Sequence, residues 1–360
     1  MSKPRLISFY LPQFYPTPEN DEWWGKGFTE WTNVGRAKPL FKGHNQPKVP
    51  ADLGYYDLRI QEVREQQAIL AKEAGIEGFC YWHYWFAGRR LLDTVFKEVV
   101  ESGKPDYPFC LCWANHSWFA KTWDPQIPDK LLIEQTYPGE QDYADHFYAM
   151  LPAFKDQRYM RVNGKLIFGI FAPLDIPNVK IFIDLWNKLA KDNGINEFYF
   201  FGFTNNYTDK EKIIEIGFDS VVVDNVRCHV DYKSVFENFI TRFKRKFFKI
   251  PQLITYDEYM NYMMDKYTLA NNVHPCIYPN FDHSPRSAHR GIILTNSTPN
   301  KWYDLCVNIF KLLKNRKEEE NLVFIKAWNE WGEGNYMEPD IKFGKQYIEK
   351  TMKAIVDYDK

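Results

Sequence analysis

The sequence predicts an α/β protein, a (β/α)8 TIM barrel with long loops following its strands. Three observations carry that expectation. Eight short runs rich in β-branched and aromatic residues alternate, for the most part, with stretches of helical period, the pattern of repeated parallel βαβ units. Clusters of polar and aromatic residues fall where those runs end, the side on which barrel enzymes carry their sites. The length, 360 residues, suits one barrel with long loops, so a single domain over 1–360 is expected, with an insertion at about 224–273.

The opening run, residues 5–11, contains Tyr10 and stops at Pro12. From 13 to 56 no helical period is sustained, yet Trp23, Trp24, Glu30 and Trp31 fall there with several prolines. Structureless loops of that length are usually functional or disordered, and disorder does not carry so many aromatics. This loop is therefore placed over a binding cleft, the alternative being a loop pinned to the barrel by core tryptophans. An amphipathic helix at 57–75 has an acidic start and a glycine stop. Strand 76–82 runs into Trp82-His83-Tyr84-Trp85, where His83 is either a ligand-binding residue or a histidine satisfied in the core. After a helix at 91–102, strand 107–113 leads into Trp113, Asn115, His116 and Trp118, with Trp123 close behind.

The alternation continues through helix 143–154, strand 165–171, helix 179–192, strand 198–203 and a short helix before Gly217. Strands 220–223, 274–278 and 322–328, with helices 301–314 and 343–356, complete the set. The seventh strand brings Tyr278, Asp282 and Arg286 to its C-terminal end. Within the insertion, Phe236, Phe239, Ile240, Phe243 and Phe247 form one stripe of a helix loaded with Arg242, Lys244, Arg245, Lys246 and Lys249. Such a helix either sits on anionic membrane or covers the barrel with an ordinary solvated face.

The eighth strand breaks into Trp328-Asn329-Glu330-Trp331-Gly332-Glu333-Gly334. Its glycines let the backbone turn sharply where the two glutamates are presented. If both share one side of the turn, mutual repulsion and the surrounding rings raise the pKa of at least one, so a proton donor and a base coexist near pH 7. Glycosidic-bond chemistry requires that division. A solvated acidic loop is the alternative.

Net charge is −1, which argues against a uniformly basic nucleic-acid-binding surface, and no apolar stretch is long enough to cross a bilayer. The first twelve residues lack the features of a signal peptide, which makes a cytoplasmic location the default expectation. Cys80, Cys110, Cys112, Cys228, Cys276 and Cys306 show no metal-ligand spacing and read as reduced core thiols. Neither a metal nor another cofactor is expected, and no glycine-rich phosphate motif occurs. Aromatic residues make up 18%, more than a core needs, and their flat faces suit the C–H surfaces of sugar rings.

Five segments together carry a resemblance: Phe9-Tyr-Leu-Pro-Gln13, Glu22-Trp-Trp-Gly-Lys-Gly-Phe-Thr-Glu-Trp-Thr-Asn33, Gly78-Phe-Cys-Tyr-Trp-His-Tyr-Trp85, Trp113-Ala-Asn115 and Asn329-Glu-Trp-Gly-Glu-Gly334. Over nearly its whole length the chain resembles the WbsX-type proteins of bacterial surface-polysaccharide clusters, whose domain is similar to glycoside hydrolase family 99, the endo-α-mannosidases. That resemblance implies Glu330 as the base assisting the sugar's own 2-hydroxyl, and Glu333 as the acid that protonates the leaving oxygen. One departure is Gly332, where those hydrolases have histidine. The expected binding residues are Tyr10, Trp24, Glu30, Trp31, Trp82, His83, Trp113, Asn115, Trp118, Tyr278, Asp282, Arg286, Asn329 and Trp331, with Trp24, Trp31, Trp82 and Trp118 as sugar platforms.

Three functions stand at this point: a retaining hydrolase or transglycosylase, a glycosyltransferase of O-antigen or capsule assembly using an activated sugar, and a glycan-binding barrel without chemistry. The partner expected is an oligosaccharide or polysaccharide, with no nucleic acid and with peripheral contact to anionic membrane or a lipid-linked glycan through the basic helix.

Overall fold

The computed structural model describes residues 3–120, 129–224, 226, 235–264, 270 and 272–358. Strands β1 (Arg5–Tyr10), β2 (Gly78–Phe86), β3 (Phe109–Trp113), β4 (Lys165–Ile170), β5 (Phe198–Thr204) and β6 (Ser220–Val223) pair in parallel in that order. Pro275 divides β7 into Val273–His274, which pairs with β6, and Cys276–Ile277, which pairs with β8 (Leu322–Ile325). β8 then pairs with β1, from Arg5↔Leu322 to Ser8↔Ile325, and the ring closes. Proline has no N–H for a ladder, but its carbonyl still accepts from Phe324 N at 2.8 Å.

Inward-facing side chains fill the ring. Phe9 stacks on Trp82 at 4.6 Å, and Phe201 meets Phe324 at 4.8 Å. A Cβ at Gly169 would collide with the Phe201 ring, so glycine at that point of β4 is what admits it. Cys80, Cys110, Cys112, Cys276 and Cys306 are buried and unbridged; Cys228 lies outside the described residues.

Two expectations change. The segment 13–56 is not structureless, since it holds the helices Pro18–Trp24 and Glu30–Arg36, each of seven residues. Elements that short show no period, but their caps are legible: Thr17 Oγ1 accepts from Asn20 N, and Thr29 Oγ1 from Trp31 N. In addition, β2 runs on to Phe86, because Arg89–Leu91 turns back to pair with Tyr84–Phe86. The basic segment forms the helix Val235–Phe248, and Phe243, Phe247 and Phe248 are 46%, 62% and 64% exposed, so these rings do not cover the barrel. The side chains of 235–239, including Phe236 and Phe239, lie outside the described set, as does Trp123. No helix among the described residues is long and apolar enough to cross a membrane.

Candidate active site

Asn329 pins the motif after β8 to the end of β1: its Oδ1 accepts from Leu11 N at 2.7 Å, and its Nδ2 donates to Leu11 O at 3.0 Å. Trp331–Glu333 is then a single 3-10 turn, closed by Gly334 in the left-handed region at φ 51°. Within that turn Trp331 points down. Its indole donates to Glu338 Oε2 at 2.6 Å and stacks on Tyr336 at 3.7 Å, while Glu330 and Glu333 face the cleft.

The cleft has a volume of about 1240 Å³ and opens at the C-terminal ends of the strands. Trp24, Phe28, Trp82, Trp118 and Phe171 contribute its aromatic walls. On its floor the Trp82 indole donates to Glu330 Oε1 at 2.8 Å. Burial, and next the charge of Glu333, push the Glu330 carboxyl up to about 7, against the opposing pull of Lys326, Arg286 and that indole. Arg286 and Lys326 flank Glu333: Arg286 Nη1 donates to Oε1 at 2.6 Å and Lys326 Nζ lies 3.7 Å from Oε2, while the His283 ring nitrogen Nε2 lies 3.8 Å from Oε1. Lys326 also faces Asp224 at 3.9 Å and sits 5.7 Å from the centre of the Tyr278 ring. Arg286 bridges two carboxylates, because its Nε donates to Glu30 Oε2 at 3.1 Å. Although burial opposes its charge, Glu30, Glu333 and Glu330 raise its pKa above the ordinary arginine value. Glycine at 332 is a condition for this arrangement, since a Cβ there would collide with the Glu30 carboxylate.

The structure thus brings Trp24, Glu30, Trp82, Trp118, Arg286, Glu330 and Glu333 together in one cleft. It places the other expected binding residues elsewhere, for reasons that are physical. Successive side chains of a strand face opposite sides. Tyr10, His83 and Trp113 take the face toward the helices: Tyr10 OH donates to Gln67 at 2.7 Å, His83 meets His146 at 2.7 Å, and Trp113 packs against Phe182. His83 is accordingly the core histidine, its pKa held well below the ordinary value by burial. Trp31 donates to Tyr56 O and packs on Phe14, Tyr56 and Trp331, which makes it a support for the loop instead of a platform. Asn115 fastens Ala172 and Tyr137; Asp282 binds His44 and Gln46; Tyr278 backs Lys326; and Asn329 and Trp331 hold the glutamate turn.

Lys326, Asp224, Tyr84 and His283 also line the cleft, though none of them was expected there. Two of them carried a signal. Lys326 is a lone cation in the run Val-Phe-Ile-Lys-Ala-Trp, and lysine is almost never buried without a partner. Asp224 directly follows β6, where a carboxylate falls on the site-bearing side. Among the described residues no group of three or more His, Cys, Asp or Glu is arranged to hold a metal ion.

A family model described as Glycosyltransferase WbsX matches residues 6–351. The protein WxcX of Xanthomonas campestris pv. campestris strain B100 is 37% identical over 354 residues, covering 97% of this chain and 49% of its own length. WxcX of strain ATCC 33913 is 35% identical over 356 residues, with the same 97% and 49% coverage. The chain therefore spans about half the length of these curated relatives. Among solved structures, a glycoside hydrolase-like protein is similar with a TM-score of 0.63 at 14% identity, covering 99% of this chain and 94% of its own. A family 99 endo-alpha-mannosidase from Bacteroides thetaiotaomicron, in complex with bis-tris-propane, gives 0.55 at 16% identity, with 99% and 97% covered. At such identities the likeness is one of fold.

Proposed function

The chain belongs to the WbsX glycosyltransferase family and is a carbohydrate-active enzyme on a TIM-barrel-like fold, and from that premise we propose that it transfers a glycosyl residue from an activated donor to a glycan acceptor during surface-polysaccharide assembly. One observation carries the reading. Glu330 and Glu333 share the cleft floor in unequal surroundings: Glu330 is buried against Trp82 with its carboxyl near 7, whereas Glu333 is ion-paired to Arg286 beside Lys326.

A carboxyl that titrates near the operating pH is suited to exchange protons, so Glu330 takes the proton of the acceptor hydroxyl. The acceptor oxygen forms its bond to the anomeric carbon as the bond to the leaving phosphate breaks, and the phosphate departs with the electron pair. Glu333 supplies negative charge opposite the cationic ring of the transition state, a role its pairing with two cations favours over proton donation. A phosphate leaving group needs no acid. Trp24, Trp82 and Trp118 offer faces for sugar rings, with Trp82 also setting Glu330. The test is turnover on a panel of nucleotide-activated sugars, lipid-linked sugars and α-linked glycosides. Transfer from an activated donor that is lost in Glu330→Gln supports the reading; hydrolysis of plain α-glycosides with no transfer from any activated donor would replace it with the hydrolase reading.

The exposed rings of Val235–Phe248 favour a second element. Phe243, Phe247 and Phe248 stand beside the exposed cations Arg242, Lys244, Lys246 and Lys249, and we assign to this helix docking on anionic membrane, where a lipid-linked glycan reaches the barrel mouth.

A further inference from the structure

We propose that the outer end of the cleft, formed by Arg36, Lys38, His289 and Arg290, binds the diphosphate group of the sugar donor, an inference that rests on the transfer reading above. Two of the elements that contribute to the floor also build this end. Glu30 and Arg36 are the first and last residues of one helix, which separates them by about 9 Å at 1.5 Å per residue. Arg286 lies in the helical turn Ser284–Ser287, and His289 and Arg290 follow in the next turn, Ala288–Arg290. A sugar seated over Glu330 and Glu333 therefore has a basic wall on the side where these two elements lead away.

Charge is divided unevenly along the cleft. Among the described residues the carboxylates that line it, Glu30, Asp224, Glu330 and Glu333, belong to the floor, where Arg286 and Lys326 face them. No carboxylate among the described residues lines the outer end. Behind that end, the pairing of Gln252–Thr255 with Ile292–Thr295, and the bond from Gln252 N to Gly291 O at 3.1 Å, bring the C-terminal part of the basic helix close to Arg290. Burial, then the charges of Lys249, Arg290 and Arg245, hold the His289 pKa below its ordinary value. Burial, then the charge of Arg290, does the same to Arg245. Arg36, Lys38 and Arg290 on one cleft wall, with Arg245 and Lys249 behind it, suit a multiply charged anion. Guanidinium forks and an ammonium are the groups that bind phosphate oxygens best. A nucleoside diphosphate and a polyprenyl diphosphate share this chemistry.

The test is titration calorimetry on the full chain carrying Glu330→Gln, so that nothing is turned over, with inorganic pyrophosphate as probe. Saturable binding is expected, weakened about tenfold by Lys38→Ala or Arg36→Ala and about 100-fold by both. Lys38 and Arg36 are exposed, so these changes leave the core intact, and Lys180→Ala, which removes the same charge from a distant helix, should leave affinity unchanged. Nucleoside diphosphates and farnesyl diphosphate are titrated in parallel. Tighter binding of either than of pyrophosphate, lost in the same variants, supports the site and identifies the donor's source. Absence of saturable pyrophosphate binding, or an affinity unmoved in the double variant, would overturn the proposal. Failure of the transfer reading looks different: pyrophosphate binds as described, yet the wild-type enzyme turns over no activated donor.

Discussion

Glu30 occupies the space that a side chain at Gly332 would need, and it is fixed there by Arg286, which also holds Glu333. The missing Cβ thus determines how three charged groups meet. Gly332→Ala should cost about 1–3 kcal/mol of stability through overpacking and lower the turnover rate as Arg286 is displaced. In the Glu30→Ala/Gly332→Ala double variant the collision is gone, so its stability should exceed that predicted by adding the two single effects. Denaturant melts of the four proteins check this, and additivity within error would refute the coupling.

Trp82 links the platform to the proton-exchanging group. Trp82→Phe keeps an aromatic ring on Phe9 but removes the indole donor that favours ionised Glu330. The Glu330 pKa should rise further. Because the proposed base must be ionised, the acid limb of the pH–rate profile should move to higher pH, and an unmoved limb would detach Trp82 from the chemistry.

Glu330→Gln should lower the transfer rate by about 10² to 10⁴, the usual value of general acid–base assistance. It should also stabilise the protein at alkaline pH. The folded value of about 7 lies above the ordinary 4.5, so the group contributes its full stability below 4.5 and loses it as pH rises through 7. Removing the carboxyl removes a penalty on the order of 2–3 kcal/mol at pH 8 and none at pH 4. Thermal melts at both values test the sign. Glu338, which burial also pushes up to about 7, is untouched and should keep some pH dependence in the variant.

Vesicles containing anionic lipid should float with the protein at low salt and release it as salt rises. Replacing Lys244, Lys246 and Lys249 with Ala should weaken binding by about 1 kcal/mol per residue. Phe247→Ser with Phe248→Ser should weaken it at every salt concentration, since those rings are exposed. If wild-type protein stays at the bottom of the gradient in low salt, the docking role is wrong.

The barrel was legible in the sequence because its signals are local. Runs such as Leu322–Ile325 and Ser220–Val223 are β-rich over their own length, and alternation with helices is a property of the chain order alone. The two glutamates were legible for a similar reason: Gly332 and Gly334 mark a turn, and a turn after a buried strand presents its polar side chains to the mouth. Side-chain direction was harder to read. A residue's place near a strand end does not say which face it takes, and the pleat sends Tyr10, His83 and Trp113 to the helices while Phe9 and Trp82 turn inward. Nor does chain order show that Glu30, Arg286 and Glu333 meet, since they are separated by 256 and 47 positions and joined only when the ring closes. Their charges, the pKa of Glu330 and the basic wall beyond them depend on burial and distance across that closed ring, quantities that tertiary structure alone decides.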